Sequence, residues 1–219
     1  MKILISGFEP FGEHKINPSQ KLVEAMIDEN CPGISLGGVI LPVDTIAAPG
    51  ILLQHLHREQ PDAVLSFGLA SGRAKISLER VAVNIMDFQQ PDNKGITRSD
   101  TAVIENGPTA YFSTLPLREI FSALKQAGIP VELSLTAGSY LCNQIFYTLM
   151  HEVSSQNHQI SAGFIHLPAL PEQAAQSKQS LPSLNFTQVL QSADIIINTL
   201  QQRYQLSQLQ RKANHESNR

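Results

Sequence analysis

Cys142 has the sequence setting of a cysteine nucleophile. An apolar run over residues 129–135 and a break of small residues at 137–139 precede a helical pattern of apolar residues. This order predicts a buried strand, a turn and a helix whose first turn carries Cys142. Unpaired backbone N–H groups and the positive end of the helix dipole lie there, and both favour the thiolate, the reactive form of cysteine. The alternative is a buried cysteine that packs as a small hydrophobic residue.

A cysteine nucleophile needs a base within hydrogen-bond reach, and the base needs a group that orients it. Among the seven histidines, His166 differs because it ends a predicted buried strand over residues 161–165. The alternative for His166 is a core histidine with satisfied hydrogen bonds. Glu79 is the candidate orienting carboxylate because its neighbours are apolar. The residues alone favour the alternative, an exposed strand residue paired with Arg80.

The elements that must position these residues follow from hydrophobic patterning. Predicted strands cover residues 2–6, 39–43, 63–67, 75–85, 129–135 and 161–165. Five helices are predicted. One starts at residues 17–19, one starts near Cys142, and the other three cover residues 45–60, 115–127 and 186–204. The polar segments 88–105, with a hairpin, and 171–183 are predicted as loops, and the 75–85 strand has one exposed side.

Alternating strands and helices predict an α/β fold, a single-domain three-layer sandwich with a mainly parallel twisted sheet and helices on both faces. We place this domain at residues 1–205 and a polar C-terminal tail at 206–219. In such folds, chemistry gathers where loops leave the carboxyl ends of strands. The loop of Phe8 and Phe11, the 68–73 loop, the Cys142 turn and His166 all fall at predicted strand ends. This convergence favours a catalytic Cys142.

Composition narrows the class of protein. The 219 residues are 42% hydrophobic, enough for a sizeable core, and the formal net charge of −3 gives no electrostatic case for nucleic acid or an anionic membrane. No apolar run has the length of a membrane span, and the N-terminus does not resemble a signal peptide. With only two cysteines, we expect the reducing cytoplasm and a structural role for Cys31. No spacing matches a known metal motif, so no metal is expected.

Four stretches carry a more specific signal: residues 7–12 together with 17–19, then 76–84, 134–143 and 166–168. In combination they resemble the type I pyroglutamyl peptidase (pyrrolidone-carboxylate peptidase) family, and the likeness runs to about residue 200. The resemblance implies a cysteine exopeptidase that removes an N-terminal pyroglutamyl (5-oxoproline) residue from peptides. It makes Cys142 the nucleophile, His166 the general base and Glu79 the orienting carboxylate.

The resemblance also implies how substrate binds. Phe8 and Phe11 would flank the flat lactam ring with Asn17 close by, and we expect further contacts at Leu69 and Leu141. This agrees with the chemistry of the ligand, since an uncharged ring needs apolar faces and a few placed polar groups. The partners are then peptides with N-terminal pyroglutamate, with no cofactor. Bacterial members of the family tend to be tetramers, which implies a homotetramer.

The chain departs from the family pattern at four positions. Leu69 and Leu135 stand where the family commonly has Gln and Asn, and Ser71 replaces a usual Gly. Gln89 stands where an Arg is frequent, so the oxyanion candidate at this position donates only a neutral hydrogen bond. These departures keep two alternatives open: a catalytically weak paralogue that binds pyroglutamyl-like ligands, and a cysteine amidase with a different small substrate.

Overall fold

The structure is a computed structural model that describes residues 1–27, 32–155 and 160–217. The strands, in chain order, are β1 (Lys2–Phe8), β2 (Ser35–Leu41), β3 (Ala63–Leu69), β4 (Ile76–Glu79), β5 (Val81–Val83), β6 (Met86–Phe88), β7 (Arg98–Thr101), β8 (Ala110–Phe112), β9 (Val131–Ser134) and β10 (Ser161–Leu167). The helices are α1 (Pro18–Ile27), α2 (Ala47–Glu59), α3 (Leu117–Gln126), α4 (Leu141–Ser155), α5 (Pro171–Gln176) and α6 (Phe186–Ser217).

A six-stranded sheet in the order β2-β1-β3-β10-β4-β9 forms the middle layer. Because side chains alternate across a strand, each central strand supplies both faces of the sheet. One apolar core contains Ile3 and Ile165 with residues of α1, α3 and α6, and the other contains Leu4 and Phe164 with residues of α2 and α4. The α/β sandwich predicted from the sequence, with helices on both faces, is therefore confirmed.

The sheet is mainly parallel, with one reversal of strand direction. Strands β1, β2, β3 and β10 run parallel, whereas β4 pairs antiparallel with β10, and β9 runs parallel to β4. Strand β9 therefore runs in the opposite direction to β3 and β10, and its last residue, Ser134, pairs with Glu79 level with the middle of β10. Residues 135–140 connect β9 to α4, so the Cys142 turn does not follow the carboxyl end of a strand that runs with β3 and β10.

Two strand predictions need correction. The predicted strand over residues 75–85 is broken at Arg80 into β4 and β5, and every residue of β4 is buried. The exposed side predicted for this strand is wrong for β4, which lies between β10 and β9 and is covered on both faces: Ile76 and Leu78 pack in one core, and Ser77 and Glu79 are buried on the other face. The predicted buried strand before Cys142 is β9, which is half-buried because it forms an edge of the sheet.

Two further differences lie in the C-terminal part of the chain. The segment predicted as a polar loop over residues 171–183 begins with the short helix α5. Helix α6 continues to Ser217, past its predicted end at residue 204, so much of the segment predicted as a tail is helical. Cys31 lies outside the described residues. In the part of the chain that the structure describes, no helix is both long and apolar enough to cross a membrane.

Candidate active site

Cys142 is the second residue of α4 and carries a free thiol. Its sulfur lies over Gly68, near the end of β3. A Cβ atom placed on Gly68 would stand only 2.9 Å from the Cys142 sulfur and 2.8 Å from Cζ of Phe164. The absence of a side chain at Gly68 therefore makes the space that the thiol occupies.

His166 lies on the same face of the sheet as this thiol. It is the direct partner of Gly68 in the parallel pairing of β3 with β10. Phe164, two residues earlier on β10, points to the same face, and its ring centroid is 4.9 Å from that of His166. His166 is 4% exposed and belongs to the strand, one residue before its end. The structure thus brings the thiol, the imidazole and the Phe164 ring into one buried region.

Glu79 completes the group from the last position of β4. Its Oε1 accepts a hydrogen bond of 2.7 Å from Nδ1 of His166 and one of 2.6 Å from the guanidinium of Arg73. The side chain is fully buried, and Oε2 has no hydrogen-bond partner among the described residues. The sequence-based alternative of an exposed Glu79 paired with Arg80 is therefore wrong. Arg80 is exposed, whereas Arg73 reaches back from the loop after β3.

Burial sets the protonation states of Cys142 and His166. It raises the pKa of the Cys142 thiol to about 12, and the charge of Glu79 acts in the same direction, whereas that of Arg73 opposes it. Burial also lowers the pKa of His166, although its hydrogen bond to Glu79 raises it. These shifts favour a neutral thiol beside a neutral imidazole. The helix N-terminus favours the thiolate, but desolvation of the buried thiol is the larger effect.

The hydrogen bond to Glu79 also fixes the tautomer of His166. An ionised carboxylate only accepts hydrogen bonds, so Nδ1 of the imidazole carries the proton. In the neutral ring, Nε2 is then left as a proton acceptor. The buried Glu79–His166 pair therefore presents a base on the face of the sheet where Cys142 lies.

Aromatic rings lie in the same apolar cluster as Cys142, among them those of Phe8, Phe11 and Tyr140. The Phe8 ring is buried, with its centroid 6.5 Å from that of Phe164. The Phe11 ring is half-buried and 6.1 Å from the Tyr140 ring, which meets Phe88 edge-on at 4.7 Å. Sequence analysis missed Tyr140 and Phe88. The signal for Tyr140 was its position two residues before Cys142, whereas nothing in the sequence joined Phe88 to Phe11.

Asn17 is buried and shapes the loop that carries Phe11. Its Nδ2 donates to the carbonyl of Glu9, and its Oδ1 accepts from both the backbone N–H and the hydroxyl of Ser19. The Ser19 hydroxyl oxygen in turn accepts a hydrogen bond from the backbone of Phe8. Asn17 therefore joins the start of α1 to the end of β1 and fixes the aromatic loop between them.

The remaining predicted site residues, Leu69, Leu141 and Gln89, differ in their exposure. Leu69 and Leu141 are 7% and 1% exposed, and Leu141 packs in the core beneath α2 and α4. Gln89 is exposed in the β6–β7 hairpin, and its amide nitrogen lies 3.5 Å from the hydroxyl of Ser99 across that hairpin. The structure thus gives Gln89 a partner within its own hairpin.

The β6–β7 hairpin is fastened to the loops around the site. Tyr140 donates to the carbonyl of Pro91, and the Asn93 amide donates to both the carboxylate of Glu9 and the carbonyl of Pro10. The carboxylate of Asp92 accepts hydrogen bonds from four groups, which are the Thr45 backbone and hydroxyl and the backbones of Lys94 and Ile96. These bonds hold the hairpin against the Phe11 loop.

An α/β sandwich that carries a cysteine in the first turn of a helix, beside a buried histidine–carboxylate pair, has the arrangement of a cysteine hydrolase. Comparison with known proteins is more specific. The family model described as pyroglutamyl peptidase matches residues 1–203. The chain belongs to the pyroglutamyl peptidase family.

Individual relatives agree with this assignment. The pyrrolidone-carboxylate peptidase of Vibrio vulnificus is 43% identical over 198 residues, which cover 90% of this chain and 92% of the relative. That of Thermococcus onnurineus is 42% identical over 91% of this chain and 98% of its own. A solved mutant pyrrolidone carboxyl peptidase of Pyrococcus furiosus superposes with a TM-score of 0.90 at 37% identity, covering 93% of this chain and 99% of that one. Pyroglutamyl peptidase I of Bacillus amyloliquefaciens gives 0.86 at 35% identity, covering 90% and 93%.

Proposed function

We propose that this protein is a cysteine exopeptidase that hydrolyses the amide bond after an N-terminal pyroglutamyl residue of peptides. The observation that carries the proposal is the buried 2.7 Å hydrogen bond between His166 and Glu79, on the sheet face where the Cys142 sulfur lies. Membership of the pyroglutamyl peptidase family supports the choice of substrate. In this proposal Cys142 is the nucleophile, His166 the general base and Glu79 the residue that orients it.

The reaction then starts from the neutral pair. Nε2 of His166 takes the thiol proton as the Cys142 sulfur attacks the pyroglutamyl carbonyl. Glu79, at the other ring nitrogen, stabilises the imidazolium that forms. The imidazolium protonates the leaving amine, and water, deprotonated by the same base, hydrolyses the thioester on Cys142.

Backbone N–H groups at the start of α4 are the best-supported donors to the oxyanion of the tetrahedral intermediate. They belong to the same helical turn as the nucleophile, and the first N–H groups of a helix lack partners within it. Gln89, the predicted oxyanion residue, contacts Ser99 within the hairpin. Gln89 therefore contributes only if its side chain leaves this partner when substrate binds.

The substrate ring is proposed to bind among the aromatic side chains. Phe8 and Phe11 offer apolar faces for an uncharged lactam, and Asn17 holds the loop that carries Phe11 against the end of β1, where Phe8 lies. The side chain of Leu69 carries no amide group, so any hydrogen bond from this position to the lactam comes from the Leu69 backbone. Leu141 is the first residue of α4 and its side chain packs into the core, so its effect on substrate binding is indirect.

We also propose the reducing cytoplasm as the compartment, because a free nucleophilic thiol is oxidised elsewhere. The homotetramer is proposed from family resemblance alone, as is the division into a catalytic domain over residues 1–205 and a C-terminal segment beyond it. Size-exclusion chromatography with light scattering tests the tetramer directly.

The function is tested with a chromogenic pyroglutamyl amide. Wild type should release the chromophore, and Cys142→Ser should not. Cys31→Ser is the matched control, since it removes the other cysteine of the chain, and it should behave as wild type. Release that persists in Cys142→Ser would exclude Cys142 as the nucleophile. Prolyl and acetyl amides separate the shifted-substrate amidase, since only the lactam carbonyl distinguishes the pyroglutamyl ring from the prolyl ring.

The second candidate is a weak paralogue that binds pyroglutamyl ligands without useful turnover. The position of Gln89, directed at Ser99, and the apolar side chain of Leu69 favour it. It predicts measurable binding of pyroglutamate amide without a burst of product. Turnover near the enzyme median of about 10 per second eliminates it.

A further inference from the structure

Arg73 makes the closest charged contact to the His166–Glu79 pair. One nitrogen of its guanidinium donates to Oε1 of Glu79 at 2.6 Å, and this oxygen also accepts from His166. The other terminal nitrogen donates to the backbone carbonyl of Thr136 at 2.9 Å, in the segment that leads to α4. The Arg73 side chain is 28% exposed, whereas that of Glu79 is fully buried. A single guanidinium thus joins the carboxylate to the chain segment that ends in the nucleophile.

The charges around Cys142 show why this cation matters. Glu79 must be ionised to orient His166, yet its negative charge disfavours a negative sulfur nearby. Arg73 opposes that effect at the sulfur. Tyr140 also lies close enough to the thiol to interact with it electrostatically, and its pKa is raised to about 12 by burial and by the charge of Asp92. Tyr140 is therefore neutral over the working pH range, which leaves Arg73 as the compensating charge.

We propose that Arg73 is a positioning residue of the proposed cysteine peptidase reaction, which holds the Glu79 carboxylate on His166 and offsets part of its negative charge at Cys142. The inference rests on the proposed roles of these three residues. It assigns to the 68–73 loop a task beyond its shape, because the loop supplies the positive charge of the site. The electrostatic environment of Cys142 then depends on Arg73 as well as on Glu79 and His166.

A purely structural role is the competing explanation, since Arg73 also pins the segment that leads to α4. The two explanations predict different results for thiol ionisation. Loss of the hydrogen bond between Arg73 and Thr136 would loosen the segment that leads to α4 without changing the charge near the sulfur. Loss of the positive charge of Arg73 would instead lower the fraction of thiolate at a given pH. Ser134→Ala tests the structural role without a change of charge, because the uncharged Ser134 hydroxyl contacts both Arg73 and the Thr136 carbonyl.

The direct readout is the rate at which iodoacetamide alkylates Cys142, followed by the mass of the peptide that contains it. Arg73→Gln should lower this rate at pH 8 about tenfold, the effect of a rise of about one unit in the thiol pKa. The same variant should lower kcat/KM by about 10- to 100-fold and move both limbs of its pH profile to higher pH. Arg73→Lys, which keeps the charge, should recover much of the alkylation rate.

Arg80→Gln is the matched control, because it removes an exposed arginine that adjoins Glu79 in the chain. Arg80→Gln and Ser134→Ala should both alkylate as wild type. If Arg73→Gln does not fold, Arg73→Ala with added guanidinium ion should regain alkylation, since the side chain is partly open to solvent. An unchanged alkylation rate and pH profile in the Arg73 variants would overturn the inference. Absent hydrolysis by wild type would instead refute the proposed function, since alkylation does not depend on it.

Discussion

Gly68 lies directly opposite His166 in the parallel pairing of β3 with β10, under the sulfur of Cys142. The two residues come from strands far apart in the sequence and share one face of the sheet. The position without a side chain admits the thiol, and its partner strand presents the imidazole. This register therefore determines how the proposed nucleophile and base meet.

A Gly68→Ala substitution should impair catalysis by displacing the sulfur. The added methyl group would lie within 3 Å of both the Cys142 sulfur and the Phe164 ring, closer than such contacts are tolerated. We expect kcat/KM to fall by about 100-fold, the effect of moving a reacting group by about 1 Å. Gly50→Ala is the control because, in the part of the chain that the structure describes, no neighbouring atom lies within 4 Å of its added methyl group, and it should keep full activity. Full activity in Gly68→Ala would contradict the position given for the thiol.

Glu79→Gln should abolish most activity while keeping the shape of the side chain. An amide carries no charge to stabilise the imidazolium, and its NH₂ group can hold His166 in the wrong tautomer. The expected loss in kcat is about 100- to 10,000-fold, by analogy with the same change in other triads. Glu119→Gln, on the exposed face of α3, is the control and should be active. Comparable kcat values for the two variants would remove Glu79 from the mechanism.

Tyr140→Phe should weaken substrate binding more than turnover. The substitution keeps the ring against Phe11 and Phe88 but removes the hydrogen bond to Pro91 that fastens the β6–β7 hairpin. One neutral hydrogen bond is worth about 1 kcal/mol, so KM should rise about fivefold with kcat nearly unchanged.

Tyr147→Phe makes the same chemical change within α4, the helix that follows Tyr140, where the hydroxyl donates to the Pro108 carbonyl. It should lower the midpoint of thermal unfolding and leave KM at the wild-type value. Steady-state kinetics with a pyroglutamyl amide and a thermal scan check both variants. A fall in kcat alone for Tyr140→Phe would place its role in the chemical step.

The pH dependence should reveal the neutral base. Burial lowers the pKa of His166 from its ordinary value of 6.5, so the imidazole accepts protons only at lower pH. The acid limb of kcat/KM should therefore have its midpoint below 6.5, because the free base persists to that pH. By linkage, the unfolded chain binds this proton more readily than the native protein, so His166 lowers stability as pH falls from 6.5 towards its folded pKa. An acid midpoint clearly above 6.5 would indicate a thiolate–imidazolium pair instead.

The sequence predicted the parts of this site that depend on local patterns. Apolar periodicity after residues 137–139 indicated that a helix begins near Cys142, and α4 begins at Leu141. The apolar run before His166 predicted its burial on a strand, because such runs are typical of inner strands of parallel sheets. Both signals lie within a few residues of the side chain concerned.

Features that depend on the order of strands could not be predicted in this way. The residues favoured Arg80 as the partner of Glu79 because the two are adjacent in sequence, whereas the structure supplies Arg73 through a loop that folds back. The burial of β4 requires knowledge that β10 and β9 flank it. The state of Cys142 likewise follows from burial by distant segments, which exceeds the local effect of the helix N-terminus.

The placement of His166 on an inner strand has a consequence for how this fold can acquire new specificities. Hydrogen-bonded neighbours flank β10 on both sides at a strand spacing of about 4.8 Å, so the backbone that carries His166 is held in place by the sheet. Point substitutions leave this part of the site where it is. Divergence towards bulkier acyl groups would therefore have to proceed by remodelling the front of the cleft, where the β6–β7 hairpin is attached through a few side chains.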